Sequence, residues 1–359
     1  MNGLSLDFII HPGETVKEVL EKNNMNQEEL AIRTGFSAKH VSQVVNGIKG
    51  ISPCFAKSLE YVFNMPSSFW INLQANYDKE IENYKDQNSI EDNEIKIVKD
   101  NKKIINYAKK IGLINNINSS EGLVIETRKL CGVKDLFFID ILQEKKAIAY
   151  RKSEKVATDN YALYIWLRIC EKLAKKTVIT EEYNEEKLVE SIEKIKKCMF
   201  LEINQSISEL KRIFAECGIV FQLVENFKGV PVQGFIDRIE NKLILTMTIR
   251  GSSADIFWFT LFHEIGHLLN GDMTKNNNFI DFNTNISEGE EKADNYAKNI
   301  LIDKEDFKNF YKNEKFSDQS IINFARKENI PPFIVAGRLN KETNNYKIGA
   351  RLKVKYKWE

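Results

Sequence analysis

The stretch that most limits what this chain can become runs from Phe257 to Gly271 and reads F-W-F-T-L-F-H-E-I-G-H-L-L-N-G. Phe257, Phe259, Leu261, Phe262, Ile265, Leu268 and Leu269 make it apolar on nearly every side, which predicts a buried helix. Into that helix are set His263, Glu264 and His267, the spacing H-E-x-x-H. Residues four apart share a helix face, so His263 and His267 can aim two imidazole nitrogens at one point. Buried polar groups need partners, and one zinc ion held by both rings supplies them. Glu264 stands beside that point, placed to act as general base on a water there. The plain alternative is a core helix with two hydrogen-bonded histidines and a solvated Glu264.

Two rings do not complete a site, because catalytic zinc takes three protein ligands and keeps one position open. Of the four histidines only His11 and His40 remain, both far upstream. A carboxylate or a cysteine is therefore expected as the third ligand. Residues 288–297 read E-G-E-E-K-A-D-N-Y-A and open a further helix. Glu290 and Asp294 lie four apart on one face. Glu290 is the expected ligand, and Asp294 can accept a hydrogen bond from a ligating imidazole and fix its tautomer. Glu291 competes for the ligand role, and Glu288 does so less well. An acidic helix N-terminus favoured by the macrodipole is the plain alternative.

With these residues quoted, W-F-T-L-F-H-E-I-G-H-L-L-N followed by E-x-x-A-D-x-Y-A resembles the ImmA/IrrE metallopeptidases, over about residues 215–340. The resemblance implies a zincin-like domain, a His-His-Glu site for one zinc ion per chain, and cleavage of repressor proteins. Lys292 departs from that pattern, standing where an acidic residue is common.

The first 80 residues predict a compact helical unit. Asn26 caps an expected helix over 27–34, with Glu29 completing a capping box. Gly35 permits a tight turn. Ser37 caps a third helix over 38–46, which Gly47 ends. That is a helix-turn-helix pattern, whose second helix enters the DNA major groove. Its outward residues would be Lys39, His40, Ser42, Gln43 and Asn46, with Gln27, Ser37 and Lys49 completing the DNA-facing set. Residues 1–80 hold seven Lys/Arg against nine Asp/Glu, yet Leu30–Leu59 contains Arg33, Lys39, Lys49 and Lys57 and no acid. Such modest charge predicts weak monomer binding, and a homodimer on operator DNA is expected to supply affinity. A helix-turn-helix kept for protein contacts is the alternative. H-P-G-E at 11–14, N-Q-E-E-L-A, G-I-K-G-I-S-P and F-W-I-N-L-Q-A-N-Y-D at 69–78 resemble the HigA-type repressors. The resemblance implies that His11 belongs to an entry turn and is not a zinc ligand.

Elsewhere the chain is less explicit. Residues 81–105 are charged and read as a linker or a frayed exposed helix. Residues 106–213 read as a helical middle region without a chemical motif. Gly218–Val224 and Lys242–Ile249 read as strands, with Gln233–Ile236 pairing with the second. Residues 214–345 form the expected peptidase domain, and 346–359 a basic tail that alternates like an edge strand. The expected class is α+β, mainly α, with a small sheet. A net charge of +1 gives no global drive toward nucleic acid or membrane, and no apolar run is long enough to span a bilayer. Five cysteines without C-x-x-C spacing read as reduced thiols of a cytoplasmic protein. The expected function is a DNA-binding regulator fused to a zinc endopeptidase that cleaves a repressor protein or itself. The alternative is a non-catalytic, antitoxin-like autorepressor whose C-terminal part senses metal or binds a protein.

Overall fold

Helix after helix begins on a capping side chain. His11, Asn26, Ser37 and Ser52 each accept a backbone N–H at the starts of α1 (Pro12–Lys22), α2 (Gln27–Thr34), α3 (Ala38–Val45) and α4 (Pro53–Phe63). The structure, a computed structural model, describes residues 6–142, 159–271, 286–312 and 316–357. It divides into two units, Met1–Lys99 with Asn116–Glu126, and Asp100–Asn115 with Thr127–Glu359.

In the first unit α2 and α3 meet across Gly35, whose left-handed φ of 72° makes the turn. With α1, α4 and α5 (Ser67–Asn88) they enclose Val16, Leu30, Val41, Val44, Phe55 and Trp70. The capping box is only half made. Asn26 Oδ1 accepts from Glu29 N at 2.8 Å, but the Glu29 carboxylate pairs with Arg33 one turn on. Of the two readings of residues 81–105, linker or exposed helix, the structure takes the helical one. These residues complete α5 and form α6 (Asp92–Asp100) and α7 (Lys102–Lys110), with α8 (Ser120–Cys131) following. Val98, Ile104, Ile105 and Ala108 are buried, a stripe that the surrounding charges obscure in the sequence.

The second unit is built on three strands: β1 (Ile219–Leu223), β2 (Gly234–Ile239) and β3 (Lys242–Met247), in the order β1-β3-β2. β1 runs parallel to β3, with Ile219 opposite Leu243, and β2 antiparallel, with Gly234 opposite Met247. Their alternation divides the residues between two faces. Val220 and Ile244 meet Ala174 of α9 (Asn160–Lys176), while Gln222 donates to Cys170 O at 3.1 Å and Thr246 Oγ1 at 2.8 Å. Helix α9, expected in a separate middle region, thus covers the sheet within one unit. Ile219, Phe221, Leu243 and Leu245 join the larger core with α10 (Glu185–Lys197), α11 (Ile203–Glu216) and α12 (Ala254–Leu269). Then come α13 (Ile286–Leu301), α14 (Lys304–Tyr311), α15 (Asp318–Lys327) and α16 (Pro332–Thr343).

Helix α12 is as buried as its composition demands: Trp258, Leu261, Phe262 and Ile265 have no exposed surface. The expected C-terminal edge strand is a 3₁₀ turn over Ala350–Leu352 and one bridge, Ser253 to Lys355, and Trp358 lies outside the described residues. Ala254 N donates to Val354 O at 3.0 Å, and Tyr356 OH accepts Trp258 Nε1 at 2.8 Å, so the tail clamps the start of α12. All five cysteines are free, and four are buried. Among the described residues no helix is long and apolar enough to cross a membrane. Tyr356→Phe should leave the buried indole N–H unpaired and lower unfolding stability by about 1–3 kcal/mol. The midpoint of a urea titration followed by tryptophan fluorescence checks this.

Candidate metal centre

Two helices cross at a glycine. A Cβ on Gly266 of α12 would lie 3.0 Å from Ala293 Cα and 3.2 Å from the Tyr296 ring, both on α13. Only the paired small residues Gly266 and Ala293 let the backbones approach this closely. The approach brings Glu290 and Asp294, one turn apart on α13, against His263 and His267, one turn apart on α12.

The side chains converge as the spacing predicts. His263 Nε2 and His267 Nε2 are 3.1 Å apart. His263 Nε2 is 3.5 Å from Glu290 Oε2, and His267 Nε2 is 3.5 Å from Glu290 Oε1. Ligands about 2.0–2.1 Å from a tetrahedral zinc ion stand roughly 3.3–3.4 Å from one another, so this donor set is already near the size of a zinc cage. Among the described residues these three form the group able to hold a metal ion. His263 Nδ1 meets Asp294 Oδ1 at 2.9 Å. That carboxylate accepts the Nδ1 proton and leaves Nε2 to face His267 and Glu290, as for a histidine oriented toward a metal. The residues present therefore fit a divalent cation. Neither Glu291 nor Glu288 belongs to the group, and Glu288 pairs with Lys292 at 2.8 Å instead.

The electrostatics follow from the same contacts. Burial works against a charged His263 ring, but Asp294 and Glu290 outweigh it and push its pKa up to about 9. The His263 contact, stronger than the opposing effect of burial, holds the Asp294 carboxyl below its ordinary range, and Lys341 adds to this. Glu264, 8% exposed, is pushed up by burial and by Glu290, while the two histidines pull it down.

A cavity of about 790 Å³ opens onto this cluster. His263, Glu264, His267, Glu290 and Asp294 line one part of it, and Gln233 with Gly234, Phe235 and Ile236 of β2 forms a wall. β2 is an edge of the sheet, and at its start a Cβ on Gly234 would lie 3.1 Å from Glu264 Cγ. The edge backbone thus runs directly past the carboxyl expected to act as base. Sequence reasoning missed the cavity's cations, Arg250, Lys298, Arg338, Lys341 and Lys353, which carry no motif. It also gave Gly266 no role.

The DNA-facing set in the first unit is partly rearranged. Lys39, Ser37, Asn46 and Lys49 are exposed, and Gln27, Ser42 and Gln43 half-buried. Ser37 Oγ is engaged as the α3 cap, and Asn46 Nδ2 donates to Ser42 Oγ at 3.1 Å. His40 does not face outward as expected. Its ring packs 4.6 Å from Phe36 and 5.0 Å from Phe55, because that placement buries apolar area of all three rings. Burial and the Lys49 ammonium, 3.2 Å from Nδ1, lower its pKa. His11 caps α1 through Nδ1, 2.9 Å from Gly13 N, and takes no part in the metal cluster.

His263 must be neutral to ligate, and its raised pKa means that metal binding displaces a proton below about pH 9. Apparent zinc affinity should therefore rise about tenfold per pH unit on approaching pH 9 from below and level off above it. Competition against a chromophoric chelator checks this.

No family model matches the chain. A virulence-associated protein A′ of Dichelobacter nodosus is 36% identical over 69 residues, which are 19% of this chain. The chain spans 60% of the length of that curated relative. A Pseudomonas aeruginosa protein solved in complex with its 18-base-pair operator DNA is 34% identical, covering 20% of this chain and 80% of that one, at a TM-score of 0.20. The Pseudomonas aeruginosa antitoxin HigA, solved with the higBA promoter, is 31% identical, covering 23% and 96%, at a TM-score of 0.21. A HigA-family addiction-module antidote protein of Coxiella burnetii is 28% identical, covering 23% and 95%, at a TM-score of 0.21.

Proposed function

We propose that the chain is a DNA-binding regulator joined to a zinc-dependent endopeptidase of the ImmA/IrrE type. The observation that carries the reading is the convergence of His263, His267 and Glu290 at one point inside a cavity, with Asp294 behind His263 and Glu264 beside it. Zinc held there supplies a Lewis acid that polarises a peptide carbonyl. The chain's own residues do the rest. Glu264 takes a proton from the attacking water and passes it to the leaving amine. Its burial, which raises its pKa, suits both halves of that transfer. Asp294 keeps the Nδ1 proton on His263 and holds the ring in place. The free backbone edge of β2 receives an extended peptide by strand addition and lays it past Glu264.

A separate protein is a better substrate than the chain itself. An edge strand takes extended chain, and residues 81–105, the charged stretch between the helix-turn-helix and the peptidase part, lie mostly in α5, α6 and α7. In the first unit, the geometry of α2, Gly35 and α3 supports major-groove reading by Lys39 and Gln43, with Lys49 on phosphate. A homodimer on two half-sites is part of this proposal.

Glu264→Gln should keep the metal, because Glu264 is not a ligand, and lower turnover of a proteome-derived peptide library by about 10²–10⁴-fold. His263→Ala should lose the metal. Mass spectrometry of the peptides and metal analysis of the purified protein check both. Regulation in cells that survives Glu264→Gln would instead make the site a non-catalytic sensor. For the first unit, Gln43→Ala should weaken binding to DNA from upstream of the gene by about 1–3 kcal/mol and relax its sequence preference. Lys39→Ala should weaken all sequences alike and flatten the salt dependence, as fluorescence anisotropy would show.

A further inference from the structure

The cavity's charge does not end at the metal centre. Five cationic side chains line it: Arg250, Lys298, Arg338, Lys341 and Lys353. Four carboxylates line it too, and each is engaged. Asp294 holds His263, Glu290 faces both histidines, Glu264 is buried, and Asp255 accepts from Ser253 Oγ. Arg338 is already paired with Glu342 at 2.9 Å, so the other four cations balance the four carboxylates, and a bound divalent ion would bring the recess to +2. A concave site lined by one excess sign focuses its field and concentrates ligands of the opposite sign.

Lys341 shows where that field meets the cleft. Its Nζ lies 5.0 Å from the Phe259 ring centre, and that ring lies 6.4 Å from the His263 ring. The two legs put the ammonium no more than about 11 Å from His263, roughly three residues of extended chain. With its side chain 61% exposed, it contacts Asp294 only distantly, at 4.0 Å, and keeps room for a second anion. Beside it on α16, Asn340 is 2% exposed and lines the same cavity, and its Oδ1 has no hydrogen-bond partner.

We propose that this recess selects an extended acidic peptide, one with a carboxylate side chain within about three residues of the bond presented to Glu264. Lys341 and Lys353 meet the carboxylate. The proposal rests on the peptidase reading for which bond is presented, but its test does not require turnover.

The test uses the full chain carrying Glu264→Gln, loaded with zinc, and three fluorescein-labelled peptides. Each is a short Ala/Leu sequence with a single Glu, Gln or Lys near its centre. Anisotropy should give the Glu peptide an affinity about three- to tenfold above the Gln peptide, with the Lys peptide weakest. Added salt should shrink the difference. Lys341→Glu and Lys353→Glu should each reduce or invert the preference at unchanged zinc content. Lys353 serves as the second variant because its Nζ donates to Tyr346 O, so its effect does not pass through Asp294. Equal affinities for the Glu and Gln peptides, no binding by any of the three, or a preference that survives both reversals would overturn the proposal. If a variant misfolds, the three peptides against the Glu264→Gln chain still decide. A chain with natural Glu264 that prefers the Glu peptide yet cleaves none would overturn the peptidase reading alone.

Discussion

The arrangement of the second unit hangs on one close contact between helix backbones. Where α12 and α13 cross, Gly266 has no side chain and Ala293 has only a methyl group. Glu290 lies three residues before Ala293 and Asp294 one residue after it, so the separation there sets the distance from carboxylate to imidazole. A helix pair held about 8–10 Å apart is ordinary, and larger side chains at the contact push it to the wide end of that range. Carboxylate-to-imidazole spacings of 2.9 and 3.5 Å do not survive such a shift. The glycine inside H-E-I-G-H is thus as much a part of the site as the histidines, though it touches no ligand.

The surroundings of α12 hold that contact rigid. One flank of the helix packs in the core shared with the sheet. Its start is tied to the tail through Ala254 and Tyr356, and Gly337 of α16 leaves no room for a Cβ beside Asp255. Apolar packing at crystal-like density resists small displacements, so the imidazoles keep their places without depending on their own hydrogen bonds. Packing also explains why the middle helices matter. α9 covers the second face of the sheet, Trp166 Nε1 donates to Glu225 O at 2.8 Å, and the edge strand beside Glu264 is supported from behind.

What the sequence disclosed and what it withheld divide along physical lines. Local rules worked where one side chain decides the outcome. Asn26 and Ser37 cap the helices expected of them, and β1, β3 and the HExxH helix follow their patterns closely. The four-residue spacing of Glu290 and Asp294 was enough to put both on the face that meets the histidines. Tertiary packing withheld the rest. His40 looks outward by helical phase, but Phe36 and Phe55 draw its ring in. Residues 81–105 read as a linker or an exposed helix because their lysines and acids outnumber the few residues that bury. The lining cations are scattered from Arg250 to Lys353, so only the fold gathers them, and no window of sequence could.

The charges of the cluster favour a cation independently of the motif. Glu264 and Glu290 raise each other's cost, and burial raises it again for Glu264. Two imidazole nitrogens 3.1 Å apart can share one proton or one metal ion, but they cannot both present bare lone pairs without repulsion. A single proton relieves one such pair and leaves the carboxylates in place. A divalent ion relieves the ring pair and Glu290 together, because it takes a lone pair from each. A proton and a divalent ion would therefore compete for the same point, and the proposed metal would relieve more of the repulsion there. Desolvation, which penalises every bare charge in the recess, becomes the force that favours filling it.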